Sequence, residues 1–118
     1  MAKVNAKINY DSEEDILFLS KERKIKASID IGDFIIDIDH DGFVSGIEIL
    51  NASQNLGLKE EQLKSLEKGS MCVNYKPNYV YISLILKFKE KEKDISIPLT
   101  IDLGHSSIRT EKTKFAVA

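Results

Sequence analysis

Asp37–Ser53 reads DIDHDGFVSGIEILNAS, with alternate aspartates and a glycine set between two apolar runs. The way this stretch folds decides between two kinds of molecule. Asp37, Asp39, Asp41, Gly42 and Glu48 satisfy the spacing of an EF-hand calcium loop, D-x-D-x-D-G-x5-E. In such a loop, side-chain oxygens and a backbone carbonyl enclose a hard cation while the glycine permits the sharp turn. An EF-hand also needs a helix on each side, and the flanks do not supply one. Upstream, Ile29-Asp30-Ile31-Gly32-Asp33-Phe34-Ile35-Ile36 is rich in β-branched residues and carries a glycine. That glycine costs a helix interior about 1 kcal/mol. Downstream, Phe43-Val44-Ser45-Gly46-Ile47-Glu48-Ile49-Leu50 again favours extended chain. The expectation is a β-hairpin turning at His40-Asp41-Gly42, where Asp-Gly supplies the positive φ of a tight loop.

With a four-residue loop, Asp39 would face Val44, Asp37 would face Gly46 and Ile35 would face Glu48. Asp37, Asp39 and Glu48 would then share one face, with Phe34, Ile36, Ile38, Ile47 and Ile49 on the other. A loop one residue shorter would turn Glu48 away from Asp37, and the sequence leaves the register open. Asp30 to Glu48 holds six acidic residues and no Lys or Arg, so a positive partner is expected close by. Calcium or another divalent cation on Asp37, Asp39, Asp41 and Glu48 is therefore kept as the alternative to turn chemistry.

The chain has 118 residues, enough for one domain with its own core. Apolar residues make up 42% and charged residues 31%, as in ordinary globular proteins. The formal charge is −2, which gives no global case for nucleic acid or an anionic membrane. The charge is uneven: residues 1–53 sum to −5 and residues 54–118 to +3, so the halves could attract each other or a second copy. No apolar run has the length of a signal or a membrane helix, and a cytoplasmic location is expected. Cys72 is the only cysteine, which excludes an internal disulfide and a thiolate metal cluster.

Upstream of the acidic stretch, Val4, Ala6, Ile8 and Tyr10 alternate with polar residues. Asp11 to Asp15 turn, and Ile16-Leu17-Phe18-Leu19 returns as a second strand. Ile25, Ala27, Ile29 and Ile31 alternate in a third, whose apolar parity slips by one at Gly32, predicting a bulge or break. Tyr10-Asp11, Asp15, Leu17 and Phe18, followed by Asp37, Asp39, Asp41-Gly42 and above all Gly46-Ile47-Glu48-Ile49-Leu50 with Ala52-Ser53, resemble a widespread family of small prokaryotic domains of unknown function. The family's pattern opens on a YD-x-E-x-D-x-L-Y hairpin and closes on G-I-E-I-L-x-A-S. The resemblance spans residues 7–53, and departs at Phe18, where tyrosine is usual, and at Asn51, where aspartate is usual. It implies a compact β-rich fold and carries no catalytic residue across.

Beyond Ser53, the run Leu58 to Lys68 has helix formers throughout and Gly69 as a stop, predicting one amphipathic helix over 58–68 within a helical segment 54–69. Residues 70–101 predict a three-stranded antiparallel meander. Across Pro77-Asn78, Tyr75 meets Val80, Val73 meets Ile82 and Met71 meets Leu84; across Glu90 to Lys93, Phe88 would meet Ile95 and Leu86 would meet Ile97. The opposite face carries Cys72, Asn74, Tyr79, Tyr81 and Ile85, to be covered by the 102–118 tail or by a partner.

Taken together, the sequence predicts a single α+β domain of about six to seven mainly antiparallel strands and one helix. The expected function is a non-enzymatic protein-interaction or self-association module, a homodimer among the options, with Asp37, Asp39, Glu48, Tyr79 and Tyr81 as candidate contacts. No catalytic residue or cofactor is assigned, and nucleic acid is disfavoured. A small enzyme is the remaining alternative, using Cys72 with His105 and Asp102, or paired carboxylates. It lacks a phosphate-cradling glycine loop and a metal-spaced histidine pair.

Overall fold

The computed structural model describes residues 6–117. The described residues form nine strands: β1 (Lys7–Asp11), β2 (Ile16–Ser20), β3 (Ile25–Ile31), β4 (Phe34–Asp39), β5 (Val44–Ile49), β6 (Leu66–Lys76), β7 (Tyr79–Phe88), β8 (Glu92–Leu99) and β9 (Arg109–Val117). Two five-residue helices, α1 (Ala52–Leu56) and α2 (Glu60–Lys64), lie between β5 and β6. All nine strands belong to one curled sheet in the order β3-β4-β5-β2-β1-β9-β6-β7-β8.

The expected α+β architecture is therefore corrected to a predominantly β one. Two local readings account for the difference. The parity slip at Gly32, expected as a bulge or break, is a break, made by a two-residue hairpin turn: Ile31 pairs with Phe34, and Gly32 sits at φ 57°. A glycine at that turn position adopts positive φ without a Cβ penalty, so one expected strand becomes two. The predicted 58–68 helix shrinks to α2, because from Leu66 onward the backbone pairs with β7 and, from Lys68, also with β9. Pairing on both sides satisfies the backbone as fully as a helix would and extends a strand whose Met71, Val73 and Tyr75 are buried, so tertiary pairing overrides helix propensity.

The 102–118 tail is the second correction. Its Arg109–Val117 portion is β9, a central strand that pairs antiparallel with β6 over Lys68–Tyr75 and parallel with β1 at Lys7↔Ala116 and Ile8↔Val117. The sheet is thus mixed. The expected contribution of Val4 to the first strand lies outside the described residues.

Elsewhere the pairing follows the apolar pattern. The β6–β7 pairs Tyr75↔Val80, Val73↔Ile82 and Met71↔Leu84 form as expected. In β7–β8 the faces hold but the register differs: Leu84 meets Ile95 and Ile82 meets Ile97. Phe88 N–H donates to the Lys91 carbonyl at 2.7 Å, so the hairpin closes on two residues, shorter than the expected loop. An even slip preserves which side chains point inward, which is why the pattern alone could not exclude it.

One face of the sheet is apolar along its length, with Ile8, Leu17, Ile36, Ile47, Val73, Ile82 and Leu84 all fully buried. Curling brings this face of the β3–β4–β5–β2–β1 half against that of the β9–β6–β7–β8 half. Ala52, Leu56, Leu58 and Leu63 from the helical segment join the same core. The N-terminal half is drawn tight at Gly46, where an added Cβ would stand 2.7 Å from the Leu19 carbonyl oxygen of the neighbouring strand. Gly46→Ala should therefore cost about 1–3 kcal/mol through forced strand separation, measured as a lower urea midpoint with an unchanged m-value.

Candidate functional site

Tyr10 and Asp15 of the first hairpin meet Ala52-Ser53 in one hydrogen-bonded knot. Asp15, at φ 55°, closes the β1–β2 turn. Its carboxylate accepts the Tyr10 hydroxyl (2.6 Å), the Ser53 hydroxyl (2.6 Å) and the Ser53 N–H (3.1 Å), and its carbonyl accepts the Ala52 N–H (2.9 Å). Asn51 makes no side-chain cap for α1, so Asp15 caps that helix from across the chain. Burial alone would push the Asp15 carboxyl up, but the hydrogen bonds from Ser53 and Tyr10 outweigh it and hold it below the ordinary range. The Tyr10 hydroxyl is pushed up by burial and by Asp15 itself.

A second polar network closes one end of the apolar face. Lys21, 4% exposed, places Nζ 2.5 Å from Glu111 Oε1. The same oxygen accepts the Tyr75 hydroxyl at 3.0 Å, and that hydroxyl receives the Val44 N–H at 2.8 Å. His105 donates Nε2–H to the Gly42 carbonyl (2.8 Å) and packs against the rings of Tyr75 (4.5 Å) and Phe43 (5.1 Å), which themselves meet edge-on at 5.3 Å. Arg109 lies 5.5 Å from the Phe43 ring centre. Burial drives the Tyr75 hydroxyl up; the Val44 N–H opposes this and Glu111 reinforces it. Among the described residues no buried side-chain donor or acceptor lacks a partner. The network is a satisfied clamp joining the end of β2 and β5 to β6 and β9.

The four candidate cation ligands separate. Asp37 faces Gly46 and Glu48 faces Ile35, as expected, which keeps both on the outer face. Asp39 leaves them. The β4–β5 register shifts after Asp37, and Asp39 Oδ1 accepts the N–H groups of Asp41 (2.9 Å) and Phe43 (3.0 Å) while Oδ2 lies 3.4 Å from Arg23. Asp39 is 4% exposed, and Asp41 stands at the turn, part of a polar depression of about 210 Å³ with Phe43, His105 and Arg109. Among the described residues no three His, Cys, Asp or Glu side chains are grouped as a metal site.

The candidate interaction residues also fall into two places, Asp37 and Glu48 on the N-terminal half-sheet and Tyr79 and Tyr81 on β7. Tyr81 donates to Ser96 at 2.8 Å. Cys72, His105 and Asp102 do not assemble. Cys72 is on the outer face of β6 beside Lys112, His105 stacks on inward-pointing Tyr75, and Asp102 accepts the Gly104 N–H in its own turn.

What the structure does assemble is two oppositely charged outer faces. Asp30, Asp37 and Glu48 share the N-terminal one: burial raises the Glu48 pKa, and Asp37 and Asp30 add to the effect. Ser28 donates to Asp37 at 2.7 Å. On the other half, Lys68, Lys87 and Lys114 surround a shallow cavity of about 320 Å³ with Ile85 and Glu92, and Lys112 stands next to it. Sequence reasoning missed this lysine group because its members come from three strands. The period-two Lys112 and Lys114 were the only local sign of it.

Comparison with known proteins places the chain. Residues 7–53 match the family described as protein of unknown function (DUF2283). The uncharacterized protein MJ0789 of Methanocaldococcus jannaschii is 36% identical over 94 residues, which cover 78% of this chain and 81% of that protein. The chain belongs to the DUF2283 family. A putative hypoxanthine phosphoribosyltransferase of Methanosarcina mazei is 29% identical over 103 residues, covering 86% of this chain and 83% of the relative. No solved structure matches. The DUF2283 match ends at Ser53, the residue whose N–H and hydroxyl hold Asp15, so the matched segment includes both halves of the knot. The lysine-bearing strands lie beyond it.

Asp15 and Glu48 should respond to acid with opposite signs. A depressed carboxyl contributes stability that is present above its ordinary pKa and lost as pH falls through its folded value. Asp15→Asn should therefore cost about 1–3 kcal/mol at neutral pH, with the difference from wild type narrowing under acid. A raised carboxyl favours the fold only while protonated, and that contribution is lost as pH rises through its folded value. Glu48→Gln should raise neutral-pH stability by up to about 1 kcal/mol, a gain that fades on acidification. Urea titrations across pH check both.

Proposed function

We propose that this DUF2283 chain is a non-enzymatic protein-interaction module, which uses its acidic outer face to receive a positively charged surface from a second copy or a basic partner. The observation that carries this reading is the Asp30–Asp37–Glu48 grouping. Asp30, Asp37 and Glu48 share one outer face with no Lys or Arg between residues 30 and 48, and the Glu48 pKa, raised first by burial, is raised further by repulsion from Asp37 and Asp30. A positive surface laid over them would relieve that repulsion and steer association. The other candidate contacts, Tyr79 and Tyr81, belong to the far half-sheet and could serve a second interface.

The name of the Methanosarcina relative implies phosphoribosyl chemistry. In this chain the exposed lysines of β6, β7 and β9 offer charge to such a group, but without a cradle of backbone N–H groups around it. Transferase activity is therefore not part of the reading. A divalent cation is a second reading, favoured by Asp37 and Glu48 facing outward beside Asp30, with Asp39 committed to its turn. It predicts a rise in melting temperature with calcium, magnesium or manganese that Asp37→Asn removes.

Sedimentation of the purified protein from micromolar to near-millimolar concentration tests the interaction reading, with a lysine-rich peptide as a second probe. Association or peptide binding should weaken with added salt, and should be lost in Asp30→Asn/Asp37→Asn/Glu48→Gln. A wild-type chain that stays monomeric and ignores the peptide would overturn it.

A further inference from the structure

The strand order leaves two edges, β3 and β8. An edge exposes a row of unpaired backbone N–H and C=O groups, and chains that remain single blunt such rows with proline and charge. β8 is blunted in this way: it runs Glu92-Lys93-Asp94 at one end and carries Pro98, which has no N–H, near the other. β3 has no proline and is solvent-facing along nearly its whole length. Its Ile25 and Ile31 are exposed by 51% and 37%.

The β3 sequence, Ile25-Lys26-Ala27-Ser28-Ile29-Asp30-Ile31, complements its own reverse. An antiparallel pairing centred on Ser28 sets Ala27 opposite the partner's Ile29 and brings Lys26, at the bulge, across from the partner's Asp30. Two-fold symmetry then repeats every pair. Opposite charges and apolar residues directly across a strand pair are the stabilising combinations, whereas like charges there would repel. No charge meets its own sign in this register.

The pairing also supplies what the acidic face lacks. Asp30 lies on the Glu48 side of the sheet, close enough to Glu48 to raise its pKa. Lys26 is the extra residue of the bulge between Ile25 and Ala27, and its long side chain is exposed at the edge. Set across the two-fold, it brings an ammonium to the acidic group of the other copy.

We infer that β3 is the interface of a homodimer, in which two copies join their sheets edge to edge, antiparallel about Ser28, with Lys26 of each neutralising Asp30 of the other. This rests on the interaction reading above and names its partner as a second copy of the chain.

The register makes the test specific. In a Cys72→Ser background, Ser28→Cys should give a disulfide-linked dimer on mild oxidation, because residues on the two-fold face each other. In sedimentation, Lys26→Asp or Asp30→Lys alone should weaken dimerisation roughly tenfold or more, since each removes two identical pairs and sets like charges across the strands. The double variant Lys26→Asp/Asp30→Lys should restore it. Because β3 is exposed, circular dichroism and the melting temperature should stay near wild type in all three charge variants. If the protein associates but Ser28→Cys does not cross-link and the charge exchanges have no effect, the β3 interface is overturned and the broader interaction reading stands. A monomer at every concentration overturns the dimer; binding of the lysine-rich peptide then decides the fate of the broader reading separately.

Discussion

The structure depends on β9 lying between β1 and β6. Without that strand the molecule would be two separate sheets, each with an apolar face open to water. The pairing Ile8↔Val117 joins residues from opposite ends of the chain, so the seam bears a large closure entropy. It is held by more than the short parallel ladder. Lys21 reaches Glu111, Tyr75 ties Glu111 to the Val44 backbone, and these contacts link β2 and β5 to β6 and β9 through polar groups that all find partners. A buried pair of this kind adds little net stability but strongly penalises arrangements that leave one charge alone. It therefore favours one way of curling the sheet over others.

Once the sheet is curled, inward residues are shared between the halves and outward residues are left to water or partners. Polar and turn residues of the DUF2283 segment then divide by role. Tyr10, Asp15, Ala52 and Ser53 form an internal knot that caps a helix too short to stand alone. Gly46 lets β2 approach β5. Asp39 satisfies the turn's own N–H groups, which compete with any cation for the same oxygen lone pairs. Of the acids in the loop, Asp37 and Glu48 are left turned outward from the sheet.

Charge therefore separates across the molecule. The acidic group and the lysine group lie on different halves of one continuous outer surface, so they do not neutralise one another within a copy. The edges differ as well: β8 carries proline and charge, whereas β3 lacks proline and holds its charge as the complementary Lys26 and Asp30. An interface built on strand extension uses backbone groups for affinity and side chains for register, and both requirements converge on β3.

Much of the local structure was legible in the sequence. Alternation located most of the strands, Asp-Gly marked a turn and Gly32 an interruption, and the β6–β7 register followed from matching apolar pairs, because a one-residue slip would have exposed all of them. The hairpin reading of Asp37–Ser53 in place of a helix–loop–helix followed from its β-branched flanks. The failures share a cause. The 58–68 helix was lost to pairing with β7 and β9, the tail became a central strand, and the lysine group was assembled from three strands. Each depends on residues distant in the chain, and local propensity carries no information about them. The sequence by itself determined the strands whose apolar residues alternate, β1 to β5 and the β6–β7–β8 meander beyond Gly69, and which of their side chains were apolar. Tertiary structure alone decided that the two ends of the chain would share one sheet. Period-two alternation sets the face of a side chain, but a strand's neighbours are chosen by backbone hydrogen bonding and burial over the whole molecule.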